Sequence, residues 1–217
     1  MLIDCGRDFR QQALRHDLRE VDYVLLTHTH FDHVAGIDDL RVYTYSRDEP
    51  IPVLGLAEHL EYLRRYIYHY LFDEGIQRGG GVASLTLVAV RERFSLEGVV
   101  FEPLQAVHGS LPVTGYKFGG CAYLSDVSRI PQSTLQKLYG LDLLVLNALR
   151  HQPHPTHLSL GEAVELIREL RPRRTFLTHM SHDVLHAEVE EALCSAGGRY
   201  HTPHEVHLAY DGLSLEV

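Results

Sequence analysis

The sequence lacks the features that would place it outside the ordinary globular proteins. Its 217 residues include 3 cysteines and no tryptophan. Because Cys5, Cys121 and Cys194 are scattered and odd in number, they predict no disulfide framework and no Cys-x-x-C metal site, and a reducing cytoplasm suits them best. The longest apolar runs, about eight residues, are far shorter than a membrane span of about 20. No charged-then-apolar signal segment opens the chain, so we expect no membrane contact.

Positive charge is also scarce. Lys and Arg number 20 against 29 Asp and Glu, which gives a formal net charge of -9 with neutral histidine. This balance argues against a broad nucleic-acid surface, although a local basic patch stays open. The length suits one core, and we predict a single domain over residues 1–217 with a helical insertion at about 57–82.

Histidine is abundant, with 16 residues in the chain. Residues 27–33 read Thr-His-Thr-His-Phe-Asp-His and follow the apolar run 21–26, which predicts a buried strand that opens into a loop. Binding of a divalent metal ion would stabilise such a cluster of histidine and aspartate side chains. Neutral imidazole suits Zn, Fe, Mn or Ni, and carboxylate supports harder ions. The alternative is a polar loop in a His-rich protein. The candidate ligands here are His28, His30, Asp32 and His33.

The rest of the pattern predicts an α/β protein. Many strand-like runs are continuously apolar, which favours buried sheets. A capping box at Ser159 and Glu162 predicts a helix to about Leu170 that stops before Pro172. Periodicity predicts further helices over 57–72 and 186–194. Residues 1–6 resemble the end of a buried strand, so we expect either a short sheet or missing upstream strands. The predicted strands cover 21–26, 51–56, 83–90, 99–107, 115–124, 141–146, 175–177 and 207–217.

Four later side chains also follow strand-like runs: His108, Asp126, His157 and His179. A single His or Asp at such a place is usually a cap or a core residue. Together with the segment 27–33, the four become candidates for one metal centre, because imidazole and carboxylate are the ligands that such a centre needs.

The order His-x-His-x-Asp-His, then His, Asp and His, resembles the metallo-β-lactamase superfamily of binuclear metallohydrolases over nearly the whole chain. The resemblance implies a four-layer αβ/βα sandwich of the metallo-β-lactamase type, and whether its first strands are absent here stays open. It also implies two divalent ions, Zn or Mn with Fe left open. In the family pattern one ion lies on His28, His30 and His108, and the other on Asp32, His33 and His179, with Asp126 bridging.

A finer resemblance is to the phosphoribosyl 1,2-cyclic phosphate phosphodiesterase branch, through residues 3–6, 26–37, 123–126 and 177–182. Many true β-lactamases carry Cys where this chain has Asp126, whereas Asp fits the phosphodiesterase and thioesterase branches. His157, directly before a helix cap, matches a catalytic histidine. The resemblance therefore implies cleavage of a small cyclic or nucleotide-like phosphodiester by a metal-bridging hydroxide, with His157 and Asp32 as catalytic residues.

The sequence also departs from this branch. Relatives usually begin with a Gly-rich leader and often carry a Cys cluster for a structural zinc, and neither is in this sequence. His182 matches a ligand of that structural zinc. Without the cysteines, we expect His182 either to lie at the surface or to support the metal ligands through an outer contact. An edge strand that no other strand covers can pair with a second chain, so a homodimer remains an alternative. Candidate substrate contacts are Tyr62, Tyr66, Arg78, Arg150, His151 and His154.

Two other functions remain as alternatives. One keeps the metals and changes the substrate, to a thioester or to the 3′ end of tRNA. His157 argues against the thioesterase, and the net charge argues against the nuclease. The other is a metal-binding remnant or subunit without enzyme activity.

Overall fold

The computed structural model describes residues 1–45, 47–73, 75 and 81–216, which form two compact units, Met1–Arg91 and Glu92–Val217. Each unit has its own sheet and its own buried apolar cluster. The single domain expected from the sequence stays a prediction. No helix in the described part of the chain combines the length and the apolar character that a bilayer crossing requires.

The first unit contains a four-stranded parallel sheet in the order β1-β2-β3-β4. Its middle strands carry apolar side chains on both faces, and Val24, Leu25 and Leu26 are fully buried. This is the pattern of a parallel sheet that is covered on both sides. The strands are β1 (Leu2–Ile3), β2 (Val24–Leu25), β3 (Ile51–Gly55) and β4 (Leu85–Ala89).

Short helices connect these strands. The helix expected over 57–72 is present but broken, because a π-helical turn, Leu63–Ile67, leads into Tyr68 with φ -121°. Tyr68 is buried, and its hydroxyl donates to the Val34 carbonyl at 2.9 Å, which holds the break in place. Residues 74 and 76–80 of the predicted insertion lie outside the described part. The helices are α1 (Phe9–Arg15), α2 (Phe31–Val34), a 3-10 turn (Ile37–Leu40), α3 (Arg41–Thr44), α4 (Ala57–Tyr62) and α5 (His69–Phe72).

The second unit contains a seven-stranded sheet in the order β11-β10-β9-β8-β7-β6-β5. Pairing is antiparallel from β5 to β8 and parallel from β8 to β11. Three helices connect or flank the parallel strands: α6 (Gln132–Leu138), α7 (Leu160–Leu170) and α8 (His186–Cys194). The strands are β5 (Phe94–Leu96), β6 (Val99–His108), β7 (Leu111–Phe118), β8 (Cys121–Leu124), β9 (Leu143–Asn147), β10 (Arg174–Thr178) and β11 (Glu205–Leu208).

Two strand predictions were wrong in extent. The run 115–124 is not one strand, because the chain reverses at Gly119 and Gly120 and Phe118 pairs with Cys121. Gly119 has φ +56°, a conformation that glycine adopts without a steric cost. In the run 207–217 the strand ends at Leu208, and residues 209–216 are not in a strand.

The capping box is confirmed. Ser159 Oγ accepts from the Glu162 backbone N–H at 3.3 Å, and Glu162 Oε2 accepts from the Ser159 N–H at 2.8 Å. Helix α7 then runs to Leu170 and ends at Arg171 in a left-handed conformation, one residue before Pro172. Local sequence signals therefore determine both ends of this helix.

Removing this cap gives a direct test of its contribution to stability. Ser159→Ala is expected to lower the free energy of unfolding by about 1 kcal/mol, because one N-terminal amide loses its acceptor. Guanidinium unfolding followed by circular dichroism measures the change. Ser133→Ala, at an exposed position inside α6, is the control and is expected to leave the unfolding midpoint nearly unchanged. Equal midpoints for the two variants would contradict a capping role for Ser159.

Candidate metal centre

In the first unit, three histidine rings gather where β2 ends and α2 begins. The ring centroids of His28 and His30 lie 4.5 Å apart, and those of His28 and His33 lie 4.2 Å apart. His30 is the N-cap of α2, and this one-turn helix carries Asp32 and His33. A strand end and a single helical turn therefore bring all of the predicted ligands of this segment together.

Asp4 fixes the orientation of two of these rings. Its Oδ2 accepts from His33 Nδ1 at 2.7 Å and from the Thr27 hydroxyl at 2.7 Å, while its Oδ1 accepts from the Thr27 backbone N–H at 2.8 Å. Because the Thr27 hydroxyl donates its hydrogen bond to Asp4, its oxygen accepts from His28 Nδ1, 3.0 Å away. One carboxylate thus determines which nitrogen carries the proton in both His28 and His33.

This arrangement fits a metal ion. In a neutral imidazole whose Nδ1 is protonated, Nε2 keeps the lone pair that a metal ion needs. Metal-binding histidines typically donate their other ring N–H to a carboxylate or to another oxygen, as His33 and His28 do here. The donor set of imidazole and carboxylate suits Zn, Mn or Fe.

Backbone contacts hold the turn that carries Asp4 against α2. Asp4 has φ +60°, and only 8% of its side chain is exposed. The Cys5 N–H donates to the His33 carbonyl at 2.8 Å, which docks the turn on α2. Gly6 permits this docking, since a Cβ at that position would overlap the carbonyl oxygen of Asp32. Residues 1–6 alone did not indicate this role for Asp4, because its partners Thr27 and His33 are 23 and 29 residues away in sequence.

A substitution at Asp4 tests its role. Asp4→Asn is expected to weaken divalent metal binding about 10- to 100-fold, because an amide nitrogen cannot accept from His33 or Thr27. Titration with Zn²⁺ against a competing chelator measures the change. The matched control is Asp8→Asn, since Asp8 is exposed and its side chain makes no capping hydrogen bond in α1. Unchanged affinity in Asp4→Asn would remove Asp4 from the centre.

In the second unit, the predicted residues lie at one edge of the sheet. Strands β6, β8, β9 and β10 run in the same direction, because β6 and β8 are both antiparallel to β7. His108 ends β6, Asp126 follows β8, and His179 follows β10. Carboxyl ends of parallel strands are the usual place for a site in an open α/β sheet.

These side chains are close to one another. His108, Asp126 and His157 each offer a donor atom, and the three atoms lie within 4.8 Å of one another. Asp126 Oδ1 lies 3.2 Å from His179 Nε2 and 3.7 Å from His157 Nδ1. The His157 and His179 rings stack with centroids 5.1 Å apart. The second unit therefore brings together all four of its predicted site residues.

The backbone around Asp126 and His108 is tightly specified. Asp126 and His179 have φ +57° and +60°, left-handed conformations that cost about 1–2 kcal/mol each outside glycine. Asn147 is fully buried, and its amide bonds both the N–H and the C=O of Val127, which clamps the chain next to Asp126. His108 Nδ1 donates to the Thr156 carbonyl at 2.5 Å, so its Nε2 keeps the lone pair.

His157 is neutral at physiological pH. Burial is the main cause and lowers the pKa of His157 to about 4, although the Asp126 carboxylate acts in the opposite direction. Its Nδ1 is buried and makes no hydrogen bond within the described residues. A buried polar atom of this kind normally has a polar partner, which fits a position beside a bound ligand.

The other candidates from the sequence have different surroundings. The His151 Nδ1 hydrogen-bonds the buried Tyr200 hydroxyl at 2.8 Å, and Arg150 donates to two carbonyls of its own loop. The rings of His154 and His157 lie 5.1 Å apart. Tyr62 and Tyr66 are exposed and contact each other, and His182 is exposed. Arg78 lies outside the described residues. None of these contacts gives the candidates a role in substrate binding.

Comparison with known proteins identifies the family and the fold of this chain. A family model described as a beta-lactamase superfamily domain matches residues 1–180. The crystal structure of a diphosphatase from the PhnP family superposes with a TM-score of 0.87 at 35% identity, covering 100% of this chain and 79% of that one. The short form of human tRNase Z, at 19% identity and a TM-score of 0.70, shares the fold.

Two curated proteins are also similar. An octanoyltransferase of Porphyromonas gingivalis is 37% identical over 219 residues, which cover 100% of this chain but only 42% of that protein. A ribonuclease Z of Staphylococcus haemolyticus is 23% identical and is covered over 80% of its length. The predicted fold class is confirmed by the family model and by the solved structures. The chain therefore belongs to the beta-lactamase superfamily.

Proposed function

We propose that this chain is a binuclear metal-dependent phosphodiesterase that cleaves a small cyclic or nucleotide-like phosphodiester. The observation that carries the proposal is the arrangement around Asp126, whose Oδ1 lies 3.2 Å from His179 and 3.7 Å from His157. An aspartate at this position is typical of phosphodiesterases and thioesterases in the superfamily. The adjacent His157, whose side chain is 11% exposed, favours the phosphodiesterase.

This proposal follows the ligand pattern of the family. One ion is held by His28, His30 and His108, and the other by Asp32, His33 and His179, with Asp126 shared. Two such ions lower the pKa of bound water and stabilise charge on phosphoryl oxygens. Two ions contribute about +4 and the two aspartates about -2, so the centre keeps positive charge for an anionic diester. Zinc and manganese both suit the donor set.

His157 acts in this proposal as a neutral hydrogen-bond donor to a phosphoryl oxygen. Its lowered pKa means that the ring carries no positive charge at neutral pH. The ring therefore does not repel the metal ions. The side chain is only 11% exposed, so a hydrogen bond from it is little weakened by water. Asp32, with 48% of its side chain exposed, remains accessible to orient the attacking water.

A diphosphate linkage is the second candidate substrate. The PhnP-family diphosphatase aligns with the whole of this chain at 35% identity, well above the level that indicates a shared fold alone. Each phosphorus of a disubstituted diphosphate carries two bridging oxygens, as the phosphorus of a diester does. The same centre can therefore act on both, and the leaving group distinguishes them: a phosphate in one case and an alcohol in the other.

A side-by-side assay tests the proposal. Metal-replete protein is first analysed for its metal content and then given a chromogenic phosphodiester, a nucleotide-containing diphosphate, an octanoyl thioester and a precursor tRNA. The last two probes follow from the similarity to an octanoyltransferase and to a ribonuclease Z. We expect at least two ions per chain, and hydrolysis of the phosphodiester or the diphosphate that a chelator abolishes and added Zn²⁺ or Mn²⁺ restores.

The other outcomes contradict the proposal in different ways. Preferential cleavage of the thioester or of the tRNA would transfer the function to that substrate class. Two bound ions with no turnover on any probe would favour a metal-binding subunit without enzyme activity.

A further inference from the structure

A second group of metal-ligating side chains lies in the second unit, on α8 and β11. Glu190 and Cys194 are four residues apart on α8, a spacing that places both on one helix face. His207 lies on β11, the edge strand of the seven-stranded sheet. Each of the three offers a donor atom, and these atoms lie within 4.8 Å of one another.

The Glu190 carboxylate organises the group. Its Oε2 lies 3.2 Å from His207 Nδ1 and 3.8 Å from Cys194 Sγ, while its Oε1 accepts from the Leu208 backbone N–H. The carboxylate is therefore held against the edge strand by a backbone contact that does not involve either of the other two side chains. This contact reduces the freedom that Glu190 would lose on binding an ion.

His207 also has an outer partner. Its second ring nitrogen, Nε2, lies 3.8 Å from Glu205 Oε1, and its ring packs against Phe176 with centroids 5.8 Å apart. If Nδ1 gives its lone pair to an ion, the ring proton must lie on Nε2, which faces Glu205. A carboxylate behind a ligating imidazole is the usual support of a histidine in a zinc site.

We propose that Glu190, Cys194 and His207 form a second metal site for Zn²⁺ or a similar borderline-soft cation. Thiolate, imidazole and carboxylate are the three side-chain ligands of protein zinc, and three of them with one water complete a tetrahedron. Bound there, the ion joins the end of α8 to the edge strand β11. The site shares no residue with the His and Asp centre described above, and it does not depend on the proposed function.

A cobalt titration of the full chain tests the site. Co²⁺ bound to a thiolate gives a sulfur-to-metal charge-transfer band in the near ultraviolet, and the ligands proposed for the catalytic centre contain no sulfur. We expect this band to appear and saturate as Co²⁺ is added, and to disappear when Zn²⁺ is added. Cys194→Ser should abolish the band, whereas Cys121→Ser, which removes a buried thiol from another part of the sheet, should retain it.

Two further variants keep the thiol and test the remaining geometry. His207→Asn should weaken the Co²⁺ affinity read from the band, and Glu205→Gln should weaken it about 10- to 100-fold by removing the support behind His207. The proposal is overturned if wild-type protein gives no band. It is also overturned if the band survives Cys194→Ser, or if His207→Asn leaves the affinity unchanged.

Discussion

Replacement of His157 by alanine is expected to lower turnover by about 10²- to 10⁴-fold, the range typical of a lost acid–base or hydrogen-bonding group. The metal content should not change, because Asp126 keeps its 3.2 Å contact with His179 and His108 keeps its bond to Thr156. The loss should fall on kcat more than on KM, since the hydrogen bond strengthens as charge develops on the phosphoryl oxygen. Elemental analysis and steady-state kinetics on one sample measure both quantities.

The control for this variant is His182→Ala, which removes an exposed histidine four residues after the end of β10. It should hydrolyse the phosphodiester at the wild-type rate. If His157→Ala also turns over at the wild-type rate, His157 has no catalytic role. If His157→Ala loses its metal, the side chain is a ligand and its assignment as a hydrogen-bond donor is wrong.

Asp126→Asn is expected to have the largest effect on the metal centre. In the proposed arrangement this carboxylate is shared by both ions, so its loss should release metal and lower turnover by more than about 100-fold, beyond the usual effect of an outer partner. The fold should survive, because asparagine tolerates the left-handed backbone that Asp126 adopts at φ +57°. Circular dichroism checks the fold, and elemental analysis counts the ions.

A matched aspartate provides the control. Ser125 Oγ donates to Asp126 Oδ2 at 2.5 Å, and Ser181 Oγ donates to Asp183 Oδ1 at the same distance, but Asp183 is exposed. Asp183→Asn therefore removes a similar Ser–Asp contact and should retain both ions. Full metal content in Asp126→Asn would show that this residue does not ligate, and the binuclear arrangement would have to be abandoned.

Local signals in the sequence predicted some elements well. The capping box and Pro172 gave both ends of α7, and periodicity gave α8 at 186–194. The prediction failed where tertiary contacts override local preference. The helix expected over 57–72 breaks at Tyr68, whose hydroxyl bonds the distant Val34 carbonyl. In the run 115–124 the error was of another kind, because the pair Gly119-Gly120 is a local hairpin signal that the prediction of one continuous strand overlooked.

The sequence likewise predicted some residues of the candidate site and not others. Ligating chemistry depends on residue type and short spacing, so residues 28–33 and the single residues at strand ends could be identified without a structure. Asp4 could not be selected in this way. Its role depends on hydrogen bonds to Thr27 and His33, which are 23 and 29 residues away, and an isolated aspartate carries no local sign of them.

The amino-acid sequence alone determined the family, the donor atoms and the order in which they occur along the chain. These are properties of residue type and of spacing within one turn of backbone. The tertiary structure decided which ring nitrogen of His28, His33 and His108 carries the proton, and which strand ends lie side by side. The physical reason is that the groups that must meet are far apart in sequence, as His108 is from Thr156 by 48 residues. Only the folded sheet brings them into contact.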